Sequence, residues 1–235
     1  MKSNQSGFTL IEIAIVLVII GLLLSGVLKG QELINSAKVK NFAADFKNIP
    51  LFIYGYQDKF RALPGDDATI GTANTHIAGA VACSPAAAAK CALGNGIIDG
   101  VWSTHAVTDE SYLFWQQVRL AGLAPGATTI PGTPAIGDGY LPTNADGGEI
   151  GIQSNANFTT ITTNAAGTAG TGMTGTYVIC SQGILGKFVR QLDITLDDGN
   201  TDAGSMRTLD SVAAGKSLAI GGIQEGQAYT VCMGV

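Results

Sequence analysis

The stretch Phe8-Thr-Leu-Ile-Glu12-Ile-Ala-Ile-Val-Leu-Val-Ile-Ile-Gly21-Leu-Leu-Leu-Ser-Gly26-Val-Leu28 decides how this chain is read. It is a 21-residue apolar run, broken only by Thr9, Ser25 and one carboxylate, Glu12. A helix of that length crosses the hydrocarbon core of a bilayer. A carboxylate inside such a run costs a few kcal/mol and is usually retained for function, so Glu12 requires a partner. A short polar leader, Met1 to Gly7, carries Lys2 and precedes the run. The run is too long for the apolar core of an ordinary secretory signal, and no small-x-small exit site follows it.

Residues Gly7-Phe8-Thr9-Leu10-Ile11-Glu12 resemble the class III signal of type IV pilins and type II secretion pseudopilins. The resemblance implies cleavage after Gly7 and N-methylation of the new first residue, Phe8, by one prepilin peptidase and methyltransferase. It also implies that Glu12 pairs with the N-terminal amine of a neighbouring subunit during assembly. The physical chemistry agrees. Cleavage leaves an α-amino group at Phe8, and Glu12 lies four residues on, the same face of a helix. Inside one chain the pair would merely mask the carboxylate. Between staggered helices in a low dielectric it sets register, because a mismatch is costly. Lys29 stands where many of these proteins have a proline, while Gly21 and Gly26 weaken the apolar helix.

With 235 residues, the chain has room for one anchor and one globular domain. Four segments are expected: a leader at 1–7, a transmembrane or filament-core helix at 8–28, an amphipathic extension at 29–60 and a periplasmic or extracellular domain at 61–235. Charged residues are only 13% of the chain, a low density for a cytosolic domain. Net charge is −5, and seven of the thirteen basic residues lie at or before Arg61. The domain beyond is acidic, which argues against nucleic acid as a partner. The expected partners are other pilin subunits, the peptidase, an inner-membrane assembly platform and the membrane. The expected location is the bacterial inner membrane before assembly, N-terminus in the cytoplasm, and a pilus or periplasmic pseudopilus after it.

The cysteines are Cys83, Cys91, Cys180 and Cys232. An even count in an exported domain favours disulfides, with three possible connectivities. The favoured one joins Cys83 to Cys91 across a small loop, and Cys180 to Cys232 across two strand-like runs. The resemblance supports the second bond, because pilins often carry a disulfide near the C-terminus. Zinc is a poor alternative: there is no Cys-x-x-Cys, and the histidines are His76 and His105 alone.

An α+β fold is expected, with a long N-terminal helix packed on a C-terminal antiparallel sheet. Leu33, Ile34, Ala37, Phe42 and Phe46 recur near helical spacing. Phe8 to Ile49 would make a helix of about 63 Å at 1.5 Å per residue. Pro50 predicts a kink or break, with resumption over Leu51–Phe60. Arg61-Ala-Leu-Pro-Gly-Asp-Asp67 ends the helix with turn chemistry, and residues 68–100 read as a loop. Residues 109–122 read as a second helix, started by Asp109 or Ser111 and stopped by Gly122. The segments 63–67 and 110–123 also resemble parts of some large pilin-like proteins. Residues 124–175 read as irregular loop or short strands. Strands are expected at 177–181, 188–196, 217–220 and 229–233, with Asp197-Asp-Gly-Asn200 as a turn between two of them.

No cofactor is required by any motif, but two acidic loops offer oxygens for calcium. Asp198, Asn200 and Asp202 nearly match the first half of an EF-hand loop, with Asp193 and Asp197 nearby. The glycine arrives one residue late and the twelfth position is Leu209, so the full motif fails. Asn95 and Asp99 form a weaker second candidate. The plain alternative is that Asp, Asn and Gly serve turn geometry. No Walker loop, Gly-x-Ser-x-Gly, His-Glu-x-x-His or dinucleotide fingerprint is present, so an enzyme is not expected. Three functions stay open: a major or minor type IV pilus subunit, a secretion pseudopilin, and a membrane-anchored binding module that never polymerises. Glu12 argues against the last, and the large irregular domain argues against the small main pseudopilin.

Overall fold

The computed structural model describes residues 9–83, 90–159, 161–164, 166, 172–209 and 215–235, with the backbone alone at Thr162. One helix, α1 (Leu10–Phe60), runs for 51 residues. Its two halves differ in what surrounds them. From Leu10 to Leu28 the large apolar side chains are 46–92% exposed, so this half has no protein to bury against. Its most apolar window has a mean hydropathy of 2.8, long and apolar enough to cross a membrane. In the second half, Val39, Phe42, Phe46, Ile49, Ile53 and Tyr56 are all buried. Their alternating spacing of three and four residues makes one stripe on the helix, and that stripe faces the domain core.

The helix runs on through Pro50. Proline removes one backbone hydrogen bond and crowds the preceding turn, at a cost of about 3 kcal/mol. Ile49 and Ile53 flank it and are 3% and 1% exposed. Burial on both sides holds the two segments in one element, so the expected break is not taken.

The head is α+β. Four strands, β1 (Ile150–Ser154), β3 (Tyr177–Leu185), β4 (Met206–Thr208) and β6 (Ala228–Gly234), form an antiparallel sheet in the order β1-β3-β6-β4. Two short pieces, β2 (Ile161–Thr163) and β5 (Gly215–Lys216), pair in parallel beside it. Two further helices, α2 (Glu110–Leu120) and α3 (Gly186–Leu196), complete the head. One apolar core joins the α1 stripe, α2, α3 and the sheet. Phe42 of α1 meets Phe188 of α3 at 5.8 Å between ring centres. Lys38 of α1 reaches Asp146 at 2.6 Å and ties the spine to the loop before β1.

Residues 188–196, expected as a strand, lie within α3. The β-branched and aromatic residues there gave the strand reading. The burial does not alternate: Phe188, Val189 and Leu192 are buried while Ile194 is 67% exposed. That is the spacing of one helix face, and packing against α1 selects it over local β preference. The Asp197–Asn200 turn therefore joins a helix to β4, not two strands. No strand spans 217–220; Ser217 makes a single bridge to Leu209, and Ile220–Gly222 is a 3₁₀ turn. The strand β1 arises in the stretch that read as loop or short strands. It passes so close to the loop before α2 that a Cβ on Gly151 would sit 1.8 Å from the Trp102 carbonyl oxygen.

Candidate functional site

The chemistry singled out by the sequence begins at the start of α1. Gly7 and Phe8 lie outside the described residues. Thr9 is the N-cap, with extended backbone, and its hydroxyl accepts from the Glu12 amide at 3.4 Å. Glu12 reaches back: Oε2 accepts from the Thr9 amide at 2.8 Å and from the Thr9 hydroxyl at 2.7 Å. This is a capping box, in which each residue satisfies the other's unpaired donor. Glu12 thus has a local partner on Oε2, while Oε1 takes no hydrogen bond among the described residues. Thr9 was not read as a site residue, yet its signal was present in the Thr-x-x-Glu spacing.

Both favoured disulfides are present, Cys83–Cys91 and Cys180–Cys232. The second joins directly opposed residues of β3 and β6. The first closes the segment whose residues 84–89 lie outside those described.

Of the five expected calcium donors, three accept from backbone amides. Asp197 Oδ2 accepts from the Met206 amide at 2.8 Å. Asp198 accepts from the Asn200 amide at 2.8 Å, and Asn200 from the Asp202 amide at 3.3 Å. Asp202 accepts from the Ser217 hydroxyl. Asp193 is fully buried with neither oxygen in a good hydrogen bond. Burial first, then the charges of Asp197 and Asp198, push its carboxyl up to about 6. The nearby Gly199 N–H offsets only part of that. Among the described residues, no three carboxylates of this stretch bring oxygens within 4.8 Å of one another. Among the described residues the one compact donor group is Cys83, Cys91 and Glu110, and its two sulfurs are already bonded to each other.

The structure gathers three distant segments that the sequence reading left separate. Asp66, 3% exposed, accepts from the amides of Gly94, Asn95 and Gly96. Glu110, fully buried at the start of α2, accepts from the Ala92 and Asp99 amides, each at 2.9 Å. Burial pushes the Glu110 carboxyl up to about 7, helped by the negative charges of Asp66 and Asp99. Gly65, at φ +92°, donates to Gln117 Oε1 at 2.7 Å, and a Cβ there would lie 2.7 Å from the Glu110 carbonyl oxygen. These buried carboxylates replace a regular strand as hydrogen-bond partners for the loop at 92–99. Asn95 and Asp99, the second calcium candidate, instead bond each other at 3.0 Å, and Asn157 donates to Asp99 at 2.6 Å.

Asp67, also fully buried, accepts from the Tyr56 hydroxyl at 2.9 Å and the Thr69 hydroxyl at 2.7 Å. His76 Nδ1 stands 3.0 Å from Oδ2, the oxygen that also accepts from Tyr56. Burial raises this carboxyl, but the hydrogen bonds outweigh it and the net direction is down.

Residues 2–28 match the family described as the prokaryotic N-terminal methylation motif. No curated protein and no solved structure matches the chain. The apolar start of α1, with Glu12 in its first turn, therefore carries the methylation motif typical of type IV pilins and pseudopilins.

Proposed function

We propose that this chain is a structural subunit, major or minor, of a type IV pilus. The observation that carries the proposal is the division of α1: an unburied apolar half bearing Glu12, continuous with a half locked into the head. A membrane covers the first half before assembly, and the same half of other subunits covers it afterwards. The leader is cut after Gly7, and Phe8 is methylated. The amine of Phe8 in one subunit meets Glu12 of the next, with the unengaged Oε1 available to it. The contact is head-to-tail and non-closing, so it propagates as a filament. The chain inserts with its leader in the cytoplasm, in keeping with Lys2. The head, with its two disulfides and its excess of acidic residues, belongs outside.

Mass measurement on sheared and membrane fractions tests this. A chain starting at N-methyl-Phe8 in the sheared fraction is the expected result. The same processed chain confined to membranes would favour a secretion pseudopilin, and an uncut Met1 form would overturn the proposal.

A further inference from the structure

Sixteen glycines among the described residues have positive φ, and one other residue joins them: Arg61, at φ 56°. It caps the C-terminus of α1 in the left-handed region. Glycine adopts that geometry without strain, and this chain uses glycine for it everywhere else described. The arginine side chain is exposed, with no hydrogen bond or ion pair among the described residues. Backbone strain at an unengaged charged residue is a pointer to function when a site lies beside it.

A site does. Arg61 lines a cleft of about 530 Å³ together with Gln57, Leu63, Thr69, His76 and the 94–96 loop. That volume falls in the range of small-molecule pockets. His76 is positioned there with unusual care. Its ring stacks on Phe60 at 5.7 Å, and Nδ1 is held by Asp67, which Tyr56 and Thr69 fix in turn. A buried carboxylate that orients one imidazole nitrogen leaves the other to a ligand. Asp66 and Asp67 lie beneath with their oxygens committed to the protein. Their charges oppose a multiply charged anion, so one guanidinium above them suits a single carboxylate. The rest of the lining is mostly small apolar side chains and glycine backbone, with the polar Gln57 and Thr69 among them, a mixture that fits the C–H face and hydroxyl edge of a sugar ring.

We propose that this cleft binds a carboxylate-bearing sugar, with Arg61 clasping the carboxylate and His76 hydrogen-bonding a hydroxyl. The inference does not depend on whether the chain polymerises, because it concerns the head alone. The test is a titration of the full chain in detergent micelles with galacturonate, followed through the imidazole proton signals. Only His76 and His105 contribute, so a His76→Gln variant assigns them. Galacturonate is expected to shift the His76 signal saturably, and galactose to bind at least about tenfold more weakly. The Arg61→Gly variant is expected to lose the response while melting at a higher temperature, because glycine relieves the left-handed strain. That pairing separates lost binding from lost folding. No saturable shift with galacturonate, an undiminished response in Arg61→Gly, or an equal response to inorganic phosphate would each overturn the assignment.

Discussion

Glu12 combines two properties that an anchor alone does not need: a charge in an apolar helix and a cap that uses only one of its oxygens. Replacing it by Ala is expected to leave membrane insertion and cleavage intact and to reduce filament incorporation sharply. Quantifying the variant in sheared and membrane fractions checks this, and normal incorporation would sink the charge-pairing idea. Asp193 makes a different prediction. Its folded carboxyl titrates near 6, above its ordinary value of 3.8. A raised carboxyl pKa means the charged form is penalised in the fold. The penalty is absent below about pH 4, grows through the window between the two values and is complete above about pH 6. Relative to the parent, Asp193→Asn should therefore gain about 2 kcal/mol between pH 4 and pH 7. Urea unfolding at both pH values measures it, and a difference independent of pH would refute the assignment.

Among the secondary elements, the loop at 92–99 is held by side chains from elsewhere, Asp66 and Glu110, rather than by a ladder. Truncating Glu110 to Ala leaves the Ala92 and Asp99 amides unpaired. An orphaned buried donor costs about 1–3 kcal/mol, and these two amides are only partly buried, so a loss of about 2 kcal/mol is expected. Thermal unfolding with hydrogen exchange read over 92–99 checks both the size and the location. The disulfides act on the same level. Cys180–Cys232 spans 52 positions of sequence and Cys83–Cys91 spans 8. Loop-closure entropy grows with length, so replacing the first pair by Ser should cost about 4 kcal/mol and the second about 2.5 kcal/mol. Equal losses would show that strain or residual unfolded structure, not chain entropy, governs these bonds.

Across the whole head, burial sets the pH response. Burial pushes Asp45 and Asp193 up to about 6 and Glu110 to about 7, and raises Asp66 too, while hydrogen bonds move Asp67 and Asp138 the other way. Raised carboxyls lose stability as pH climbs through their range, and the four raised outweigh the two lowered. The melting temperature of the full chain in detergent should thus be higher near pH 5 than near pH 8. A maximum at or above neutrality would contradict this balance.

Local chemistry sufficed for the features that repeat or cluster along the chain. The long apolar run, the cap at Thr9 and Glu12, the second helix at 110–120 and the strands at 177 and 229 all follow from spacing between near neighbours. Those spacings express helix and strand periodicity directly. Tertiary contacts settled the rest. Phe188–Leu196 has residues that suit a strand, and only α1, offering Phe42 to Phe188, makes the helix the better buried choice. Pro50 signals a break, and only burial at Ile49 and Ile53 carries the helix past it. Asp66, Glu110 and the 92–99 loop are too far apart in sequence for any spacing rule to join them. Their pairing exists because the two buried carboxylates must find donors, and the fold, not the local sequence, decides which amides come within reach.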